Sequence, residues 1–254
     1  MFMALLNPLA RLLSRMKKTL PGRLLCPVEK VKIETMIYLI PGLGANYRVF
    51  ESIHLEGYET TILRWEQPMP NESFESYAKR MTKQVKHTNP VFIGLSFGGL
   101  MAAELTKLFP ESKLILISSI ASRKEMPWWG RLIAALRLHR LFSGTYVKKP
   151  NALIRWIFSV APGRQRELFD SVLRDSDPVF LEWALHVLLN WNGSGVHRLH
   201  HIHGKKDRLL PFRYTSADIL IEDGAHFTVL THPQEVSHKL KNILEDIVPQ
   251  EKME

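Results

Sequence analysis

NPVFIGLSFGGL, residues 89–100, is an apolar run that stops at a serine boxed in by glycines. Val91 to Leu95 reads as a buried strand, and FGGLMAAELTKLF, residues 97–109, as the helix that follows it. Between them Gly94, Ser96, Gly98 and Gly99 make a G-x-S-x-G-G turn. A strand entering a helix through so sharp a turn forces the middle residue into a strained backbone. Its neighbours two positions away must then lack side chains, so that strand and helix can close on each other. The strain lifts the Ser96 hydroxyl above the end of the strand, and the backbone N–H of Phe97, in the first turn of the helix, points where negative charge would develop. The pattern is a nucleophile turn, and the competing reading is a glycine-rich packing turn.

Outward from this stretch, short Ile-, Val- and Leu-rich runs alternate with helical periodicity, as in a parallel sheet covered on both faces. TMIYLIPG and YETTILRWE precede the serine turn, and KLILISSI, RLHHIHG and ADILIEDG follow it. Helical spacing runs through Phe74, Tyr77, Ala78, Met81 and Val85, with Asn71 or Ser73 as N-cap. It returns in Val236, Leu240, Ile243, Leu244 and Ile247, after Thr231 or His232. Residues 122–192 carry several helical segments and no strand. The expected architecture is α/β: a mostly parallel, doubly wound sheet of six or seven strands. Its core is residues 35–121 and 193–250, with a helical lid over 122–192 and a basic N-terminal segment over 1–34.

A serine hydroxyl is a weak nucleophile unless a base takes its proton and an acid orients that base. HGKKDRLLP places Asp207 just past a strand, and EDGAHFTVLTHP places His226 in a glycine-flanked loop. With PGLG at residues 41–44, these motifs resemble the α/β-hydrolase superfamily over roughly residues 35–247, and small lidded carboxylesterases such as the pimeloyl-acyl-carrier-protein methyl ester esterases in particular. The resemblance implies an α/β-hydrolase fold, with Ser96 as nucleophile, Asp207 as acid, His226 as base, and Leu43 and Phe97 as oxyanion N–H donors. It also implies a lid after the strand that follows the serine helix. The chain departs from the family where Pro41 replaces a common histidine, and where only 19 residues separate Asp207 from His226, so that the helix usual there shrinks to a loop around FRYTS. The expected chemistry is hydrolysis of carboxylic esters or thioesters through an acyl-enzyme, without a cofactor or metal. A catalytically silent binding protein, or acyl transfer or perhydrolysis by the same three residues, are the alternatives.

Composition narrows the setting. The 254 residues, 45% apolar, suffice for one sizeable core. Cys26 has no cysteine partner, and no apolar run reaches the roughly 20 residues that span a bilayer, which favours the cytoplasm. His197, His200, His201 and His203 split between two strand faces without cysteine or carboxylate company, so no metal site is expected. Asp175 and Asp177 read as turn and capping residues, and Glu222 and Asp223 flank the His226 loop without a defined role. Trp128, Trp129, Trp156 and Trp183, all in the lid, are candidates for lining an acyl pocket.

The net charge of +9 comes with no nucleic-acid motif, so no nucleic acid is expected as partner. Between Ala121 and Arg166 ten Lys and Arg residues, Arg137, Arg140 and Arg155 among them, face one acid, Glu125. This basic lid is either a solvated face or a docking surface for an acidic acyl carrier protein. Leu9, Leu12, Leu13, Met16 and Leu20 share a helical face opposite Arg11, Arg15, Lys17 and Lys18. Transient contact with a membrane or a partner is one reading of that segment, and packing on the core, or a translated leader if Met16 or Met36 is the true start, is the other.

Overall fold

The sheet follows from strands that are apolar on both faces. In the computed structural model, which describes residues 35–138, 144–193, 195–196 and 199–248, β1 (Ile37–Ile40), β2 (Thr60–Ile62), α1 (Phe74–Met81), β3 (Val91–Leu95), α2 (Phe97–Leu108) and β4 (Lys113–Ile117) come first. Five helices follow among the described residues, with no strand between them there: α3 (Trp128–Ala135), α4 (Gly144–Val147), α5 (Ala152–Ile157), α6 (Arg164–Asp175) and α7 (Pro178–Asn190). β5 (Leu199–Gly204), β6 (Ile219–Ile221), α8 (Thr228–Thr231) and α9 (Pro233–Ile247) complete the core. The six strands pair in the order β2-β1-β3-β4-β5-β6, every pair parallel. Alternate residues divide between two cores. Tyr38, Ile40, Phe92, Leu114 and Leu116 pack on the side of α1 and α2. Ile37, Leu39, Ile93, Ile115 and Ile117 pack with Val236, Leu240, Ile243 and Leu244 of α9. Both faces are dry, which is why these strands lack the polar alternation of a half-exposed sheet.

Local chemistry sets the ends of the elements. The Ser73 side chain caps α1 by accepting from Ser76 N–H, and the helix ends at Met81, continuing as a 3-10 turn short of Val85. Asp177 caps α7 ahead of Pro178 by accepting from Phe180 N–H. Asp175 ends α6 and pairs with Arg48. Between β5 and β6 there is only a 3-10 turn, Phe212–Tyr214, in place of a full helix. Glu222 and Asp223 pair with Lys205 and Lys206 on the neighbouring loop.

The helical segment leaves the core at Ser122 and returns at Gly193, where the two residues form an antiparallel bridge. Its basic excess is partly neutralised from within: the Arg155 guanidinium donates to both oxygens of Asp170, at 2.9 and 2.7 Å. Arg140, the N-terminal helix over residues 9–20, and His197 of the histidine group lie outside the described residues. No helix among the described residues is long and apolar enough to cross a membrane.

Candidate active site

β1 lies between β2 and β3, so the chain leaves it in one direction and returns on the other side. In open α/β sheets such a reversal places the ligand crevice at the carboxyl ends of the strands concerned, here β1 and β3. Gly42 and Leu43 follow β1 there, and Ser96 follows β3.

The glycine requirement read from the sequence has a steric cause. Ser96 holds φ at +51°, in the left-handed region that costs a non-glycine residue of order 1–3 kcal/mol. A methyl group on Gly94 would lie 2.3 Å from the carbonyl oxygen of Gly98, and one on Gly98 would lie 2.2 Å from that of Ile40. One on Gly99 would meet the Ser119 hydroxyl at 2.2 Å. The turn is therefore clamped between β1, β3 and α2. Ser96 is fixed from both sides, its N–H donating to Ile117 O at 2.8 Å and its carbonyl accepting from the Ser119 hydroxyl at 2.7 Å. Phe97 opens α2, where first-turn N–H groups have no partner within the helix. The Leu43 N–H belongs to the loop closed by a bond from Ala45 N–H to Gly42 O.

The fold brings Ser96, His226 and Asp207 together from three separate loops. His226 Nε2 lies 2.9 Å from Ser96 Oγ, and its Nδ1 lies 2.8 Å from Asp207 Oδ2. Asp207 and His226 are buried, whereas Ser96 remains partly accessible. Since a carboxylate accepts, His226 carries its proton on Nδ1 and presents a bare Nε2 to the serine hydroxyl. Leu210 N–H donates to Asp207 Oδ1 at 2.8 Å, fixing the second carboxylate oxygen.

Behind Asp207 stands a pair of buried histidines. His203 Nε2 is 2.7 Å from Leu210 O and 3.2 Å from Asp207 Oδ2, two groups that only accept, so Nε2 carries the proton. His203 Nδ1 is then bare and accepts from His201 Nε2–H at 3.1 Å. That assignment leaves His201 Nδ1 deprotonated, and it is a buried atom without a hydrogen-bond partner. Burial drives the His201 pKa down to about 3, helped by the nearby His203, so His201 rests neutral. Burial works to raise the Asp207 pKa, but attraction to His226 and the N–H donors of His203 and His226 outweigh it and hold the carboxyl well below the usual range. No group of metal-ligating side chains forms among the described residues.

The aromatic surroundings differ from the tryptophan set singled out in the sequence. Trp183 meets Phe97 edge to face at 6.2 Å and donates Nε1–H to Glu72 O, so it stands beside the serine turn. Trp129 is half-buried, and Trp128 and Trp156 are 59% exposed. The ring over His226 is Phe158, two residues past Trp156, at 5.2 Å. Trp65, at the end of the β2 segment, packs 5.4 Å from Phe97 and 5.1 Å from Phe180, and donates Nε1–H to Gly42 O. Neither Phe158 nor Trp65 has a spacing signal, whereas His203 was visible as the first residue of the H-G-x-x-D motif. A cavity of about 1020 Å³, lined by Glu72, Phe74, Trp183, Val187 and Trp191 among others, does not include Ser96 in its walls. Arg208, next to Asp207, sits 4.8 Å over the Trp156 ring and donates to its carbonyl at 3.1 Å, tying α5 to the acid's loop.

Among curated proteins, none matches the chain's sequence. Among solved structures, an esterase from Exiguobacterium antarcticum is similar at a TM-score of 0.64 and 18% identity, over 83% of this chain and 92% of that one. A thermophilic esterase from Thermogutta terrifontis gives 0.62 and 17%, over 85% and 91%. An N-acyl homoserine lactonase complexed with N-butanoyl homoserine gives 0.62 and 16%, over 87% and 92%. At these identities the likeness is one of fold. The model of the alpha/beta hydrolase family matches residues 37–239, a span that holds every strand of the sheet together with Ser96, Asp207 and His226, and the chain belongs to that family.

Proposed function

We propose that the protein is a serine hydrolase that cleaves carboxylic esters or thioesters through an acyl-enzyme. The observation that carries this reading is the unbroken line from Ser96 Oγ to His226 Nε2, at 2.9 Å, and from His226 Nδ1 to Asp207, at 2.8 Å, on a serine held at φ +51°. His226 Nε2 takes the Ser96 proton as Oγ bonds to the acyl carbon. The carbonyl oxygen becomes an oxyanion, for which the backbone N–H groups of Phe97 and Leu43 are the donors at hand. The tetrahedral adduct collapses to an acyl-Ser96 ester, and the leaving alcohol or thiol departs with the proton from His226. Water repeats the sequence, giving up a proton to His226, and the free acid leaves with Ser96 restored. Throughout, the Asp207 carboxylate stays ionised and stabilises the transient imidazolium.

The five helices between β4 and β5 act as a lid in this reading. Its supports are Phe158 against the His226 ring and the Arg208 tie to Trp156. Phe158, Trp65 and Trp183 then make the apolar rim of the acyl site.

A fluorophosphonate probe should label the protein on Ser96, and p-nitrophenyl esters of graded acyl length should be turned over. Ser96→Ala should abolish both, since removal of such a nucleophile costs on the order of a millionfold in turnover. Labelling at another residue, or a fully active alanine variant, would refute the assignment.

A further inference from the structure

Helix α3 is turned the wrong way round for a helix that rests on a core. Its buried positions are the small residues Gly130 and Ala134, Trp129 and Ile133 are half-buried, and three large apolar side chains point outward. Trp128, Leu132 and Leu136, spaced four apart along one side, are 59, 48 and 60% exposed. Close seating explains the inward choice, since a methyl on Gly130 would stand 2.7 Å from the Met126 sulfur. Seating does not explain the outward one: contiguous large apolar side chains on a surface mark a place where something else covers them.

Charge beside the stripe identifies what that is. A cleft of about 820 Å³ adjoins α3, and its walls include Ser122, Arg123, Lys124, Arg131 and Asn192. The two carboxylates that also line it are engaged elsewhere. Glu125 accepts from Ala121 N–H and from the Ser216 hydroxyl, and Asp218 accepts from His201 N–H and pairs with His200. Lys124 and Arg131 are exposed and have no carboxylate partner among the described residues. Arg131 lies on the same outward arc of α3 as Trp128 and Leu132, and exposed Arg137 follows Leu136.

We propose that this face of α3 docks on an anionic lipid surface, with Trp128, Leu132 and Leu136 entering the acyl boundary and a headgroup phosphate taken by Lys124 and Arg131 in the cleft. A convex helix with tryptophan and leucine on one arc and cations beside it is the form that lies in a membrane interface. Self-association through the same stripe would set Lys124, Arg131 and Arg137 of two copies against each other. An acidic carrier protein would meet the cations, but its polar surface would leave the apolar arc uncovered.

The test is co-sedimentation of the full chain with vesicles of mixed phosphatidylglycerol and phosphatidylcholine, against pure phosphatidylcholine, at low and high salt. Two double variants go alongside, Leu132→Gln with Leu136→Gln, and Lys124→Glu with Arg131→Glu. All four positions are exposed, so melting temperatures should match the parent's. The expected result is salt-sensitive binding to the anionic vesicles alone, weakened by roughly tenfold or more in each double variant. Absence of binding to anionic vesicles at low salt overturns the proposal. So does undiminished binding by both variants, which would place the contact elsewhere on the chain. A parent dimer that the glutamine variant converts to monomer would assign the stripe to a second copy instead. Capture of an acidic carrier protein without any vesicle binding would assign it to that partner.

Discussion

Replacing His203 tests how Asp207 is held. His203 is fully buried, and its Nε2–H is shared between Leu210 O and Asp207 Oδ2. In His203→Phe the ring volume is nearly kept, but the Leu210 carbonyl loses its donor and His201 Nε2–H loses its acceptor. A buried polar group left unpaired costs about 1–3 kcal/mol, so the two together predict a loss of about 2–6 kcal/mol in unfolding free energy. Asp207 keeps Leu210 N–H and His226. Its carboxylate loses only the third of its anchors and drifts towards the usual acidity. Turnover should therefore fall by roughly tenfold, equivalent to about 1.4 kcal/mol in the barrier. That is far less than the roughly ten-thousandfold expected when the acid itself becomes an amide. KM should not move, because His203 touches no substrate. His203→Gln, whose amide can place an N–H near the Nε2 position, should recover most of both losses. Urea unfolding and the pH profile of kcat on a soluble p-nitrophenyl ester, at a temperature where every variant is folded, make the measurement. A folded His203→Phe protein with the parent's kcat and pH profile would refute the reasoning, as would a glutamine variant no better than phenylalanine.

Two further outcomes follow from the same geometry. Gly98→Ala sets a methyl 2.2 Å from Ile40 O and 2.4 Å from Pro41 O, both backbone, and should lower Tm by at least ~5 °C and abolish probe labelling, whereas Gly42→Ala meets its neighbours at 3.5 Å and should melt within a few degrees of the parent. Equal melting of the two would contradict the clamped turn. His201 titrates near 6.5 in the unfolded chain and about 3 when folded, so the unfolded state gains the proton first and stability falls as pH drops through that window. His201→Leu removes this term. Relative to the parent it should gain on the order of 1.4 kcal/mol for each pH unit below about 6.5, and urea midpoints at pH 7, 6 and 5 should converge or cross accordingly.

How much could be read before the structure depended on whether a physical constraint had a local signature. The G-x-S-x-G-G turn did, because steric exclusion at Gly94 and Gly98 acts over four residues of chain and leaves no freedom in their identity. Doubly buried strands did, since a face with no polar partner admits only apolar residues, and Ser73 and Asp177 announced their helices by capping chemistry. Asp207 and His226 could be singled out because each sits on a short loop directly after a strand. Residues placed by tertiary packing left no such trace. Phe158 and Trp65 reach the site through the path of the chain over the crevice, and one aromatic in a helical segment looks like another. Of the histidines near β5, His200 and His203 have carboxylate neighbours, Asp218 and Asp207, that lie apart from them in the sequence. The hydrogen bond between His201 and His203 lay in their both being buried on one face, which strand alternation alone allows but does not require. Val85 fell outside α1 because the helix tightens to a 3-10 turn after Met81, a boundary effect that periodicity does not resolve.

The bridge between Ser122 and Gly193 has a meaning for how this chain can vary. Because the helical segment starts and finishes at the same point, its closure is borne by one short antiparallel contact and not by the register of β4 against β5. Length changes among α3 to α6 leave that register untouched, so this segment can vary while the loops of Ser96, Asp207 and His226 stay where the sheet holds them. The constraint falls instead on α7, whose Phe180 and Trp183 pack on Phe97 and are the part of the segment the serine turn leans on. Variation that respects those two rings is cheap, and variation that removes them strips the support from the Ser96 turn itself.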